Sequence, residues 1–445
     1  MRTILSGLAV LPTTAEEKHY RHTWLCQAII LAISFVEDTY VGGCPLKIET
    51  TQGNSQPSRI GWRIFMSKLS LPGEPDEITP EWFTTVFRKN SILTSGAVVS
   101  VQTAIIGQDW GFTGVIARVQ LHYAGHEEVA PSSVVVKFPT ATLSTPSAYR
   151  AAQQQDVIAI RRYFERCARE VMFYQQVAPL NSISVPRLYY GAVENATSRV
   201  ILVLEDLYTA RHGDALHGCS PQDAFLVVDR LANFHAQWWD HPRLEAFPWL
   251  PLWGGDAQAA QNRYVQLIDP FLQRFGSRVP KRVREIMDAL ATQYGAVRER
   301  LQQTPATMIH GDLHLDNMLF SPHGHEPGVI VIDWQSVARG RGAIDLALFL
   351  FGSLETTTRR VIEGDLLRRY HELLVAGGIT GYSFSQLVED CRLVLLWLLG
   401  AKVVWLGSID SESLNGRKQA LVDASLTEDA FTALLDHDAG SLLPP

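Results

Sequence analysis

Little in this sequence points toward nucleic acid, a disulfide frame or a membrane. Lysine and arginine together number 39 against 46 aspartates and glutamates, so the net charge is −7 and the basic footprint of a nucleic-acid binder is missing. The five cysteines, Cys26, Cys44, Cys167, Cys219 and Cys391, are odd in number and scattered, with no C-x-x-C. That argues against a disulfide scaffold and a cysteine zinc site, and for reduced thiols in a cytoplasmic protein. Long apolar runs are also lacking. Trp24–Val36 covers 13 residues and includes Gln27 and Ser34; Leu393–Gly407 covers 15 and includes Lys402. Both fall short of the ~18 to 20 residues a spanning helix needs, so no membrane partner is expected. Arg2 and the following "TILSGLAVLP" resemble a secretory signal only faintly. No internal repeat and no low-complexity tract is present.

What is there is 445 residues, 46% apolar and 19% charged, enough chain for two or three domains with a real core. Residues 1–75 mix short apolar runs with "TTQGNSQPSR" and never settle into a period. They are expected to form a poorly defined N-terminal extension, with residues 1–65 dispensable and Met66 a possible true start. From "PGEPDEITPEWFTTVF" the pattern firms up, with Thr79 placed to cap a helix and Pro80 in its first turn.

Residues 76–205 are predicted to form a small sheet lobe. "VVSVQTAIIG", "VIARVQLHYAG" and "SSVVVKFP" are Val- and Ile-rich strands separated by turn residues, which suggests an antiparallel meander. In "IRRYFERCAREVMFYQQV", Ile160, Phe164, Cys167, Val171 and Tyr174 recur at spacings of four, three, four and three, an amphipathic helix. "VPRLYYGAVEN" and "RVILVLEDL" add two strands. Residues 206–445 are predicted to be mainly helical. "SPQDAFLVVDRLANFHAQWW" opens with Ser220 as cap, Pro221 after it and Asp223 in the third position. Helical patterns continue through Val279–Leu301, 360–376 and 384–406.

The chemistry is concentrated in "MIHGDLHLDNMLF" and "GVIVIDWQ". Four residues separate Asp312 from Asn317, the spacing of the kinase catalytic loop H-R-D-x-x-x-x-N, with Gly311 in place of the arginine. In that template the aspartate acts on the acceptor hydroxyl and the asparagine holds Mg²⁺. The apolar flanks Met308–Ile309 and Met318–Phe320 are predicted to be short buried strands. "VIVIDW" then brings Asp333 to the end of a strand sixteen residues after Asn317, where kinases keep a metal-binding aspartate. Upstream, Lys137 ends a Val-rich strand, where an ammonium needs a partner. Glu170 on the following helix is the expected one; alternatively Lys137 merely ends an edge strand and Glu170 is solvated. The turn Gly107–Gly114 is only loosely glycine-rich and is not a Walker A sequence.

Together with "AIDLA", "REVMFY", "LVLEDL" and "LANFHAQWW", these motifs resemble the aminoglycoside phosphotransferase and choline kinase superfamily from about Thr79 to Leu435, with the ecdysteroid-kinase-like branch nearest. The resemblance implies an α+β, bilobal protein-kinase-like fold with ATP and Mg²⁺ at the lobe junction. It implies Asp312 as the catalytic aspartate, Asn317 and Asp333 as metal ligands, and Lys137 as the phosphate-binding lysine held by Glu170. Leu204, Glu205 and Asp206 would supply the backbone hinge for adenine, and Asp345 would be structural. Asp-Trp-Gln instead of Asp-Phe-Gly and the lack of A-P-E depart from a protein kinase.

The remaining polar residues get plainer readings. His310 and His314 lie on no H-E-x-x-H helix, so His310 is expected to brace the loop through backbone hydrogen bonds rather than bind zinc. Asp316 is expected to be solvated, His235 a satisfied buried histidine, and the pairs Arg161–Arg162, Arg359–Arg360 and Arg368–Arg369 solvated helix faces. Between Leu346 and Ala430 there are 11 acidic and 8 basic residues, a mild excess for a polycationic acceptor. Tyr370, Tyr382, Trp397 and Trp405 in the same region suggest a less charged, partly apolar alcohol as the small-molecule partner. The rival reading is a nucleotide-binding module without transferase activity.

Overall fold

A computed structural model describes residues 70–107, 114–125, 130–138, 157–321, 328–409 and 416–444. The extension 1–65, its start at Met66 and most of the Gly107–Gly114 turn lie outside the described residues.

The first α-helix among the described residues, α1 (Pro80–Lys89), begins as the sequence predicts. The Trp82 N–H donates to Thr79 Oγ1 at 3.1 Å, and Pro80 fills a position where no amide donor is needed. Three antiparallel strands follow: β1 (Ala97–Ile106), β2 (Val115–Ala124) and β3 (Ser133–Phe138). After α2 (Val157–Gln176), β4 (Leu188–Glu194) and β5 (Arg199–Glu205) complete a five-stranded antiparallel sheet in the order β1-β2-β3-β5-β4. Packing of this lobe starts at Leu71, ahead of the expected boundary at residue 75: Leu71 is buried and its carbonyl accepts from Arg199.

Strand alternation decides what each face of the sheet does. Val134, Val136 and Phe138 are buried with Trp82, Phe83 and Phe87 of α1 and with Ile201 and Val203 of β5. Lys137, paired across the sheet with Ile116 and Leu202, projects from the opposite face. Leu202 and Leu204 on that face join the core shared with α2 and the helical lobe. A one-residue slip of β3 would turn Lys137 away from that lobe, and three buried neighbours on the α1 side hold the register.

The chain enters the second lobe directly after β5. β6 (Arg211–His212) leads into α3 (Pro221–Trp238), where Ser220 Oγ accepts from the Asp223 N–H at 3.1 Å. α4 (Ala257–Phe275) and α5 (Lys281–Gln302) precede four short strands, β7 (Thr307–Ile309), β8 (Met318–Phe320), β9 (Val329–Val331) and β10 (Ala338–Gly340). β6, β8 and β9 form one small sheet, and β7 and β10 another. α6 (Ala343–Ser353), α7 (Thr356–Ala376), α8 (Phe384–Ser408), α9 (Gly416–Ala424) and α10 (Thr432–Asp436) complete the lobe. The α+β, two-lobed arrangement is thus the one the sequence predicts.

α8 outruns its apolar stretch. It is long and apolar enough to cross a membrane by length and composition, yet 83% of its apolar window is buried inside the protein, against α4, α5 and α6. A helix apolar on all sides suits such a central position. Two expectations fail here. Arg359 is not solvated: it is 3% exposed and bonded to Glu363 at 2.5 Å and to Asp436. The four aromatics read as acceptor contacts are core: Tyr370, Tyr382, Trp397 and Trp405 are all buried, Trp397 against Trp253 at 4.8 Å.

Candidate active site

The two polar stretches meet between the lobes. β7 and β8 bracket the loop that carries Asp312 and Asn317, and β9 ends just before Asp333. The Ile332 N–H donates to the Asn317 carbonyl at 3.0 Å, which ties loop and strand together. Gly311 makes the turn possible: its φ is +80°, and a Cβ there would lie 2.4 Å from the Ser336 carbonyl oxygen. An arginine at this position would not fit.

The loop is held from below by Asp345, whose carboxylate accepts from the His310 N–H at 2.6 Å and the Gly311 N–H at 2.9 Å. Behind it, His235 Nε2 lies 3.3 Å from Asp345 and its Nδ1 2.7 Å from the Tyr370 hydroxyl, so His235 is buried and satisfied as predicted. His310 braces the loop through the backbone. Its Nδ1 accepts from the Asp312 N–H at 3.2 Å, which leaves Nε2 to donate to the Ile332 carbonyl at 3.0 Å. Burial lowers its pKa, in keeping with the neutral ring.

Lys137 reaches across from the sheet. Its Nζ lies 2.8 Å from both Glu170 oxygens and 2.9 Å from Asp333 Oδ1. Burial works to lower the Lys137 ammonium, but Asp333 and Glu170 together hold it above its ordinary value. Burial likewise works to raise Asp333, and Lys137 holds it below. Both groups are charged, and the alternative of a solvated Glu170 fails: that residue is 3% exposed. Asp333 adopts a left-handed backbone, φ 65° and ψ 61°, which a non-glycine residue sustains only when its surroundings fix it. They do so through Trp334. This ring stacks on Phe173 of α2 at 3.9 Å, meets Phe234 of α3 at 5.5 Å and His310 at 4.7 Å, and donates its indole N–H to the Val331 carbonyl at 3.0 Å, while the Trp334 backbone N–H donates to Glu170 at 3.3 Å. Arg166 and Arg169 of α2 also grip this turn, through Ser336 Oγ and the Gln335 carbonyl, each at 3.3 Å.

Asn317 donates Nδ2 to the Asp312 carbonyl at 3.0 Å and to His314 Nε2 at 2.9 Å. His314 is buried, its Nε2 3.9 Å from Asp312 Oδ1, and burial first, then His310, lowers its pKa to about 3. Asp316 is not solvated. Its carboxylate is 6% exposed, accepts from the Ala215 N–H at 2.8 Å and meets Arg417 of α9 at 3.1 Å. Of the three expected hinge residues, Leu204 and Glu205 end β5, with the Glu205 N–H given to the Arg187 carbonyl at 2.9 Å. Asp206 runs on outside the strand, its carboxylate bonded to Arg118 and Ser133 at 2.8 Å each.

The donor set suits a hard cation. Asp333 offers a carboxylate, and Asn317 Oδ1 accepts no hydrogen bond from a described residue. Among the described residues no group of three or more His, Cys, Asp or Glu could hold a metal alone. That is how Mg²⁺ is usually bound, by one or two side-chain oxygens together with substrate phosphates.

A sequence profile of the phosphotransferase enzyme family matches residues 133–382, more than half of the chain. The chain belongs to that family and is an enzyme, a phosphotransferase. Solved structures of similar architecture include a putative aminoglycoside phosphotransferase from Ralstonia eutropha JMP134 (16% identity, 82% of this chain and 99% of that one, TM-score 0.44). Others are an ethanolamine kinase from Plasmodium vivax (11%, 77% and 83%, 0.46) and a choline/ethanolamine kinase family protein from Mesorhizobium loti (12%, 77% and 92%, 0.40). No curated protein sequence matches the chain.

Proposed function

We propose that this protein transfers the γ-phosphoryl group of ATP to a hydroxyl of a small molecule in the cytoplasm. The observation that carries the reading is Lys137 bridging Glu170 and Asp333 beside the buried Asp312–Asn317 loop. In this reading Asp312 orients the acceptor hydroxyl and takes its proton as the oxygen attacks the γ-phosphorus, and ADP leaves. Lys137 swings part of its charge from Asp333 to the α- and β-phosphates, with Glu170 keeping it in place. Asn317 and Asp333 hold Mg²⁺, which when bound neutralises charge on the transferring group. Leu204 to Asp206 present backbone groups to adenine.

Within the superfamily we place the chain nearest the ecdysteroid-kinase-like branch, on the motif set "HGDLHLDN", "VIDWQ" and "LANFHAQWW". With the four aromatics committed to the core, the acceptor is defined only by its hydroxyl. The test is ATP turnover against a panel of aminoglycosides, choline, ethanolamine and sterol-like alcohols, followed by phosphorylation of an unfractionated metabolite extract. Asp312→Asn should bind ATP normally and lose at least ~10²-fold in kcat on whichever acceptor emerges. Nucleotide binding with no phosphorylated product in any extract would favour the inactive module, and near wild-type kcat in Asp312→Asn would remove that residue from its role.

A further inference from the structure

We propose that His314 is a positioning residue that fixes the Asn317 carboxamide as a metal ligand. The inference rests on the reading of Asn317 and Asp333 as the metal site. One amide atom of Asn317 lies 3.0 Å from the Asp312 carbonyl oxygen. A carbonyl only accepts, so that atom is Nδ2, and the orientation of Oδ1 follows. Nδ2 has a second hydrogen, and His314 Nε2 stands 2.9 Å away to receive it. That contact requires the lone pair on Nε2 and the proton on Nδ1.

The lock is two-sided. Flipping the amide would set Oδ1 against the Asp312 carbonyl, acceptor to acceptor. A proton on Nε2 would set two donors face to face. In the arrangement observed, Oδ1 is the one polar atom of the side chain that no described residue uses. The ring is 4% exposed, and its Nδ1 finds no hydrogen-bond partner among the described residues. A buried, unpaired N–H is retained only against a gain elsewhere. Here the gain is an oxygen presented to the cation in a fixed direction.

The tautomer is tested directly on the wild-type enzyme with ¹⁵N-histidine labelling. An Nδ1–H signature for His314 is expected, and an Nε2–H tautomer overturns the proposal whether or not any variant folds. The second arm measures ADP affinity by calorimetry with and without Mg²⁺, with Asn317→Ala as reference. His314→Leu should lose on the order of tenfold of the affinity gained from Mg²⁺. Its metal-free ADP affinity should not change. His314→Gln, which can still accept through Oε1, should recover most of the gain. Adding Asn317→Ala to His314→Leu should cost no more than Asn317→Ala alone. If Asn317→Ala loses the Mg²⁺ gain and His314→Leu keeps it, His314 does not position the ligand. If Asn317→Ala keeps it too, the metal-site reading itself falls.

Discussion

Lys137 and Lys402 share a residue type and a dry setting, and differ in everything around them. Lys137 sits at the end of β3, 16% exposed, with Glu170 and Asp333 within 2.9 Å of its Nζ. Lys402 sits in the last third of α8, 2% exposed, with the Ser425 carbonyl at 2.8 Å and the face of Phe431 at 4.3 Å. Among the described residues no carboxylate is bonded to it. Charge therefore follows partners rather than depth. Two carboxylates keep Lys137 above its ordinary value in spite of burial, whereas burial alone takes Lys402 down to about 7. The first ammonium is a permanent cation at the mouth between the lobes. The second is the weak point of a helical core.

Removing the permanent cation is the sharpest way to break the comparison. Lys137→Ala leaves Glu170 and Asp333 facing each other without the cation that separates them. kcat/KM for ATP should fall by ~10² or more, the scale of losing one preorganised electrostatic group. The midpoint of urea unfolding should move far less than kcat/KM. Glu170→Gln should act in the same direction but more mildly, since Asp333 still holds the ammonium. The double variant should be little worse than Lys137→Ala alone, because both residues serve one contact. Fully additive losses in kcat/KM would show that Glu170 acts on its own.

These two lysines also mark how far the sequence could be read. Asp312, Asn317 and Asp333 were legible from their spacing, and Lys137 and Glu170 from a Val-rich strand end and the helix after it; the structure bonds Lys137 to Glu170 and Asp333 and ties the Asn317 loop to the strand before Asp333. Asp316, Arg359 and the four aromatics were misread for one reason. The partners Arg417, Asp436, Trp253 and His235, which meet Asp316, Arg359, Trp397 and Tyr370, come from distant parts of the chain, and no local pattern encodes such pairing. Arg166, Arg169 and Glu170 lie on one face of α2 at helical spacing, a polar stripe that could have flagged all three as facing the Asp333 turn. α6 had no distinct signal, because it is buried on every side and shows no amphipathic period. α4 does carry one, with Ala260, Tyr264, Leu267, Ile268 and Phe271 on its buried face, and it was passed over although only Pro270 interrupts it. His314 was weighed only as a zinc ligand, because its role depends on an amide orientation that exists only in the folded loop.

Lys402 offers the smaller and more selective test. Its folded pKa, about 7, lies below the 10.5 of an unperturbed lysine. Between those values the unfolded chain holds the proton and the folded protein releases it, so raising the pH stabilises the fold across that window. Below pH 7 both states are protonated and the penalty is constant. Lys402→Met keeps the length of the side chain and removes the titration. It also leaves the Ser425 carbonyl without its donor, so the absolute stability of the variant could move either way. The pH slope is free of that ambiguity. The stability of wild type relative to Lys402→Met should increase from pH 7 toward pH 10, by at most about 1.4 kcal/mol per unit. Paired urea unfolding curves at several pH values measure it. Turnover, by contrast, should be the same in both proteins at pH 7, since Lys402 contacts Ser425 and Phe431 and none of the residues around Lys137. Parallel stability curves would mean that Lys402 keeps its proton in the folded core, held by the carbonyl and the ring. The contrast between the two lysines would then lie in their neighbours alone and not in their charge.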